Sequence, residues 1–422
     1  MIRISTLCCT AIVALAAISP VASLLRNGLL GVVFYLLGLA GLVAVLFRAR
    51  LADRFAALDP AGPSLRPLAW GAVAFLGMTV VILALHSLGI SSGQEKSLRF
   101  ALMALLVWLF VLVPPVRLRQ VQWGLVLIVL VMSIQVLYLS ESFDGRPDTT
   151  LLSRYNAVGF GNLLLLFSVL LTYSMGWRLT PYPRAEIALK FAVAVLGLCG
   201  FALSATRTGW MAVPAFLLIG LYLMRGQSLR VYIWLLAGLL AASVLAMTVS
   251  STLLHRLSEV ATEAQSCTKG EPEDTSVCIR MQLAEASWSM FKRHPWIGVG
   301  DREGFLTELA ELQRQGVVTK RVASSFGEPH NDLVYYLAVY GAPGFLAALA
   351  FIYLLPGWYF VRLIRQSDAQ RRTAAAMGLA VCVGFFTFGL TEMMFRGMRT
   401  ASLYAIWVAV LLALALPRRD GK

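Results

Sequence analysis

Charge is what this chain has least of. Only 14% of its 422 residues are Asp, Glu, Lys or Arg, against roughly 25% in a soluble globular protein. That depletion excludes a water-solvated surface over most of its length. Cysteine is sparse too, with 6 in all, and Cys8, Cys9, Cys199 and Cys382 fall inside apolar runs. The other two, Cys267 and Cys278, stand in a polar segment without a nearby histidine, a poor donor set for zinc. No aspartate-rich metal motif, long internal repeat or low-complexity tract is visible, so no metal or cofactor is expected.

What the chain does have is apolar length. Hydrophobic residues make up 59% of it, and the mean hydropathy is +0.75. A membrane-crossing helix needs roughly 20 mostly apolar residues. The pattern predicts an all-α integral membrane protein of about twelve spans. They lie near 7–25, 28–47, 68–88, 98–114, 121–139, 157–176, 187–204, 208–224, 231–250, 332–361, 373–391 and 400–417. The organisation expected is thus nine spans over 1–250, one long loop over 251–331, and three spans over 332–422. The run from 332 is longer than one crossing requires, so it is expected to project from the bilayer or to tilt. The first segment resembles a cleaved signal peptide in its apolar "LCCTAIVALAAISPVAS", but the many spans that follow favour an uncleaved helix.

Lys and Arg set the orientation. They collect at alternate ends of the spans: Arg3; Arg48, Arg50, Arg54 and Arg66; Arg117 and Arg119; Arg178, Arg184 and Lys190; Arg225 and Arg230; Arg362, Arg365, Arg371 and Arg372; Arg418, Arg419 and Lys422. The short loops at the other ends hold fewer: Arg26, Lys96, Arg99, Arg146, Arg154, Arg207, Arg396 and Arg399. Both termini are therefore expected in the cytoplasm, with the long loop outside. The net charge of +14 is mostly this topology signal. The basic clusters alternate with spans and form no continuous patch, so no nucleic-acid partner is expected.

The long loop brackets "TKGEPEDTSV" between Cys267 and Cys278, and in an exported loop this pair suggests a disulfide. Two free thiols in a mobile loop are the plainer reading. Beyond it, Ile279, Leu283, Ala286 and Met290 recur at helical spacing, with Trp288 alongside, until Pro295 breaks the pattern.

Several charged residues resist a topological account. Arg207 sits in "SATRTGW", Arg280 opens the amphipathic segment, and Arg154 lies in "TLLSRYNAVGFGN". An interfacial anchor beside Trp210 and a solvated helix face are the plain readings of the first two. Arg396 and Arg399 flank a short outer turn beside Glu392, with which they could simply pair. Taken together, outer arginines suit a phosphate or diphosphate, because guanidinium forks match its oxygens and keep their charge. His330, in "SSFGEPHNDLVYYLAVYGAPG", stands at the mouth of a long apolar helix. Imidazole can accept a proton at neutral pH, although a histidine there is more often a cap. Asn331 and Asp332 are good N-caps. Glu328 reads as a second acid or base, or as a charge beside a helix N-terminus. Gly341 and Gly344 would let another helix or a lipid approach the backbone closely.

The spacing of "HNDLVYYLAVYGAPG", from His330-Asn331 to Gly341 and Gly344, closely resembles the signature of bacterial O-antigen ligases. That family shares a superfamily with O-antigen polymerases and some protein O-oligosaccharyltransferases. "SATRTGW" resembles its arginine motif, and the stretch from Arg280 through "HPWIGVGDREGF" resembles its approach to the histidine. The resemblance implies a fold like that of other polyprenyl-dependent membrane glycosyltransferases, the GT-C-like architecture, with one long periplasmic loop. It implies a multi-pass protein of the bacterial inner membrane whose active site faces the periplasm. The donor would be O-antigen on undecaprenyl diphosphate, and the acceptor a sugar of the lipid A-core oligosaccharide. Transfer would invert the anomeric centre without metal, completing lipopolysaccharide. Arg207, Arg280 and Arg154 would bind the diphosphate and His330 would be the base, supported by Asn331, Glu328, Gly341 and Gly344. Polymerases tend to have two substantial outer loops, and oligosaccharyltransferases a large domain after the last span. A transporter would use outer arginines for an anionic solute, but midplane ionisable residues are few.

Overall fold

A computed structural model describes residues 6–25, 28–47, 58, 62–86, 92–142, 148–153, 155–204, 206, 208–225, 267, 275–366 and 368–418. Among them the chain is helical, with no strand beyond an isolated bridge between Leu58 and Arg418. Nine of the described helices are long and apolar enough to cross a membrane. This is a multi-pass all-α membrane protein. The predicted span at 231–250 lies outside the described residues.

The first helices are α1 (Thr6–Leu24), α2 (Leu29–Leu46), α3 (Arg66–Leu85), α4 (Ser92–Val111) and α5 (Gln122–Ser142). Next come α6 (Ala157–Tyr173), α7 (Pro183–Leu203) and α8 (Val213–Leu223). α4 begins six residues before the predicted span, because Glu95 and Arg99 pair one turn apart and sustain a polar first turn. α8 is short. Its approach, Thr208–Ala212, is a 3₁₀ turn, and Pro214 starts the α-helix proper.

Three helices precede the histidine: α9 (Ser276–Arg293), α10 (Arg302–Arg314) and α11 (Lys320–Ser325). Leu283, Ala286, Met290, Phe305, Leu309, Leu312 and Val322 are buried and join this region to the core of the bundle. α9 stops at His294, where Pro295 follows. A disulfide joins Cys267 to Cys278, next to the Thr275 cap of α9.

The final helices are α12 (Asp332–Ala348, running on through a π-helical turn, Leu349–Leu354), α13 (Leu355–Gln366), α14 (Ala369–Gly389) and α15 (Met398–Ala415). α15 is the hub and its residues are almost all buried. An aromatic cluster of Phe100, Phe385, Phe395 and Tyr404 locks α4, α14 and α15 together.

The long run from Asp332 to Arg365 is one apolar stretch of 34 residues, but it is not a single rod. At Gly341 the backbone turns to φ 63° and ψ −171°, outside the helical region. Asp332 and Tyr353 both come within 3.4 Å of the place where a Cβ on Gly389 would sit. Twenty-one residues of straight helix would hold them about 30 Å apart. The chain instead folds back at Gly341, so the excess length is absorbed by a break rather than by projection or tilt alone.

Candidate functional site

Three consecutive residues tie the start of α12 to the turn between α14 and α15. His330 Nδ1 lies 3.3 Å from Glu392 Oε1. Asn331 donates from its amide to Leu390 O at 2.9 Å while capping the amides of Leu333 and Val334. Asp332 is fully buried and accepts from the amides of Met394 and Phe395, both at 3.1 Å. This turn therefore has no freedom of its own. The polar word "HND" fixes both the histidine and the carboxylate it meets.

His330 is held in an uncommon conformation. Its φ of 52° makes it the one non-glycine residue with positive φ among the described residues. Histidine tolerates this region better than most, yet such backbone costs about 1–3 kcal/mol and concentrates at functional sites. The turn aims the ring at Glu392, with Phe326 edge-on at 5.6 Å. Because an ionised carboxylate only accepts, Nδ1 carries the hydrogen of this contact, and in the neutral ring Nε2 keeps the basic lone pair.

Glu392 is buried, and Asn156, the cap of α6, also donates to its Oε1 at 3.1 Å. Burial pushes its carboxyl up, but His330, Asn156 and the charge of Arg280 outweigh burial and hold it below the usual glutamate range. Glu328, also buried, pairs with Arg396 Nε at 2.9 Å. Here burial wins over the pull of Arg396 and His330, and the carboxyl lies above its ordinary range. Two carboxylates thus flank one imidazole with opposite tendencies. Lys96 adds a cation near Glu328 and Asp332, donating to Arg396 O at 3.3 Å.

The pairing of the outer arginines differs from the expected one. Glu392 serves His330 and Asn156; Arg396 goes to Glu328. Arg399 donates to Ser23 O at 3.0 Å and lies over the Tyr155 ring. Arg280, on the exposed side of α9, stands close enough for its charge to act on Glu392. Arg207 and Arg154 lie outside the described residues. Position 207 is bracketed by Thr206, which donates to Ala157 O, and Thr208, which donates to Asn162 Oδ1, both at 3.0 Å. Those partners are on α6, the helix whose cap meets Glu392.

The two glycines have separate causes. A Cβ on Gly341 would come within 2.6 Å of the Trp296 backbone. There the loop after α9 closes on the helix break. Ala342 donates to Pro295 O at 2.8 Å, and Val299 and Gly300 donate to the carbonyls of Ala338 and Val339 at 3.0 and 2.9 Å. Gly341 therefore admits a loop, not another helix or a lipid. Gly344 does face a helix, since a Cβ there would meet Ile82 of α3 at 2.9 Å.

Sequence reasoning missed Asn156 and gave Glu392 the wrong partner. The available signal was a carboxylate in a short turn between two apolar spans, where a charge needs a reason.

With this geometry in view, comparison with known proteins adds two findings. Over 194 residues, 45% of this chain and 47% of the relative, it is 24% identical to an uncharacterized protein of Haemophilus influenzae. The chain thus spans about half the length of that relative. The family model described as O-antigen ligase matches residues 192–349, from within α7 to the end of α12, and so takes in Arg280, His330, Gly341 and Gly344. Over residues 192–349 the chain is thus similar to the O-antigen ligase family, consistent with the O-antigen ligase/polymerase superfamily.

Proposed function

We propose that this protein transfers a glycan from a polyprenyl diphosphate to a sugar hydroxyl of lipid A-core, as an O-antigen ligase of the bacterial inner membrane. The arginine bias supports an orientation with the His330 end of the bundle on the periplasmic side and both termini in the cytoplasm. The observation that carries the reading is the His330–Glu392 contact, with the exposed Arg280 close enough for its charge to act on that carboxylate.

The acceptor hydroxyl is a weak nucleophile. His330 Nε2 takes its proton as the new bond to the anomeric carbon forms, and Glu392 steadies the resulting imidazolium through Nδ1. The bond to the diphosphate oxygen breaks on the opposite face, so configuration inverts and no covalent enzyme intermediate arises. The departing diphosphate takes the electron pair, and Arg207, Arg280 and Arg154 neutralise the charge it develops. Residues 251–331 form the periplasmic region, which contributes Arg280 and the approach to His330.

Polymerase or protein O-oligosaccharyltransferase activity uses the same chemistry with a different acceptor, so the acceptor decides between them. Purified protein would be supplied with glycan-loaded undecaprenyl diphosphate and, separately, lipid A-core, a short peptide or free glycan repeat. Glycan on lipid A-core is the expected result. Transfer to another acceptor and never to lipid A-core would reject the ligase assignment.

A further inference from the structure

α9 buries one apolar face and carries a second, narrow apolar stripe on its exposed side, beside Arg280, Glu285 and Lys292. Leu283, Ala286 and Met290 are buried against protein. The opposite stripe, Met281, Ala284 and Trp288, recurs at three- and four-residue spacing and is turned outward. Met281 is 42% exposed and Trp288 52%, and Trp296 in the following loop is 73% exposed. The Trp288 ring rests on Phe291, with centroids 5.2 Å apart. A helix side bathed in water normally carries polar residues.

One proximity and one set of bonds mark the level at which this face stands. Near the start of α9, Arg280 is close enough for its charge to reach Glu392, three residues past the end of α14. Beyond its other end, the loop is bonded to the break at Gly341, and Gly298 O meets His86 Nε2 at 3.1 Å, one residue past the end of α3. From their arginine-bearing ends, α3 and α14 each run about 30 Å to these points, the thickness of a bilayer core. Both ends of α9 are therefore at the hydrocarbon boundary on the His330 side, and the helix between them lies along the surface. The same level carries Tyr138, 61% exposed near the end of α5. Exposed Trp70 and Trp358 mark the opposite boundary.

We propose that the outward stripe of α9 and Trp296 seat in the headgroup–acyl boundary of the bilayer, as a monotopic anchor that holds Arg280 and the His330 turn at the membrane surface. Tryptophan prefers this zone, where its ring is apolar and its N–H is wet. A helix with an apolar stripe and a basic flank, here Lys292, lies in the interface in the same way. The occupant is lipid, because the stripe is narrow and continuous in level with the lipid-facing aromatics.

The test needs no activity. Full-length protein labelled with 5-fluorotryptophan would be placed in phosphatidylethanolamine–phosphatidylglycerol nanodiscs. The resonances of the two residues are identified by their loss in W288F and W296F, with W288Y and W296Y as second variants should either fail to fold. A nitroxide carried at the lipid headgroup should broaden both resonances beyond detection, while a water-soluble gadolinium chelate leaves them visible. Broadening by the chelate alone, or by neither probe as in contact with a second copy, would overturn the proposal.

Discussion

Two clusters of charge sit at opposite ends of the bundle, and they are built differently. At the arginine-rich end Lys190 is fully buried. Its ammonium meets Glu186 at 2.8 Å, Gln122 at 2.7 Å, and the carbonyls of Ser174 and Trp177 at 3.1 and 2.6 Å. The other oxygen of Glu186 accepts from the amides of Leu179 and Thr180 at 2.9 and 2.8 Å. Every charge is answered and water is shut out. At the other end His330 is partly exposed in a left-handed turn, Arg280 is exposed, and the Arg396 side chain is 62% exposed. A saturated buried network holds helices in register. Partial satisfaction, strain and water access are what the proposed substrate site would require.

Substitutions separate the two roles. His330→Ala should lower glycan transfer by about 10²–10⁴-fold, the usual worth of a positioned base, with expression and thermal stability preserved. Near-wild-type turnover would return His330 to architecture. Lys190→Met should do the reverse. Removing one partner of a buried pair costs about 3–5 kcal/mol, so Tm should drop while turnover per folded molecule stays level. A lost turnover at unchanged Tm would erase the distinction between the clusters.

Glu392→Gln is a finer probe, since it keeps the shape and removes the charge behind His330. Loss of the group that orients a metal-bound histidine costs roughly 10–100-fold, and a loss of that order is expected here. The loss should fall on kcat with KM little changed, and Glu392→Asp should recover part of it. An equal rise in KM would mean that Glu392 serves substrate binding instead.

The smallest effects should appear in stability against pH, where the two carboxyls oppose each other. Glu392 lies low in the folded protein, so its stabilisation is present above its unfolded pKa and lost as pH falls through the folded one. Glu328 lies high, so its contribution is full below the unfolded pKa and lost as pH rises through the folded one. Melting curves across the acid range should flatten on their acidic side in E392Q and on their upper side in E328Q. Identical curves for both variants would show that the flanking carboxyls are equivalent.

Much of the fold was legible along the chain. Apolar runs near 20 residues place the spans because an unpaired backbone cannot be left in lipid, and the described helices follow most of them, although α8 covers only Val213–Leu223 of the run 208–224. The amphipathic stretch from Ile279 to Met290 was legible for the same reason of periodicity, and Asn331 as a cap from its position before an apolar run. The break within the 332 run was not. Gly341 is visible in the sequence, but only the loop at Pro295 shows why the helix must yield there. Lys190 read as a topology signal, because a sequence shows that a lysine ends a span and not that four acceptors surround it.

By itself, then, the sequence determined a membrane-spanning helical chain, its arginine asymmetry, and a histidine motif with a family resemblance. Those are local or compositional properties, fixed by hydropathy and by spacing within a few turns. Tertiary structure alone decided that His330 faces Glu392 across 62 residues of chain, that Arg396 belongs to Glu328, and that α9 turns Trp288 outward. Such pairings depend on which helix ends meet, and that is settled by packing around α15 and not by any residue's neighbours in sequence.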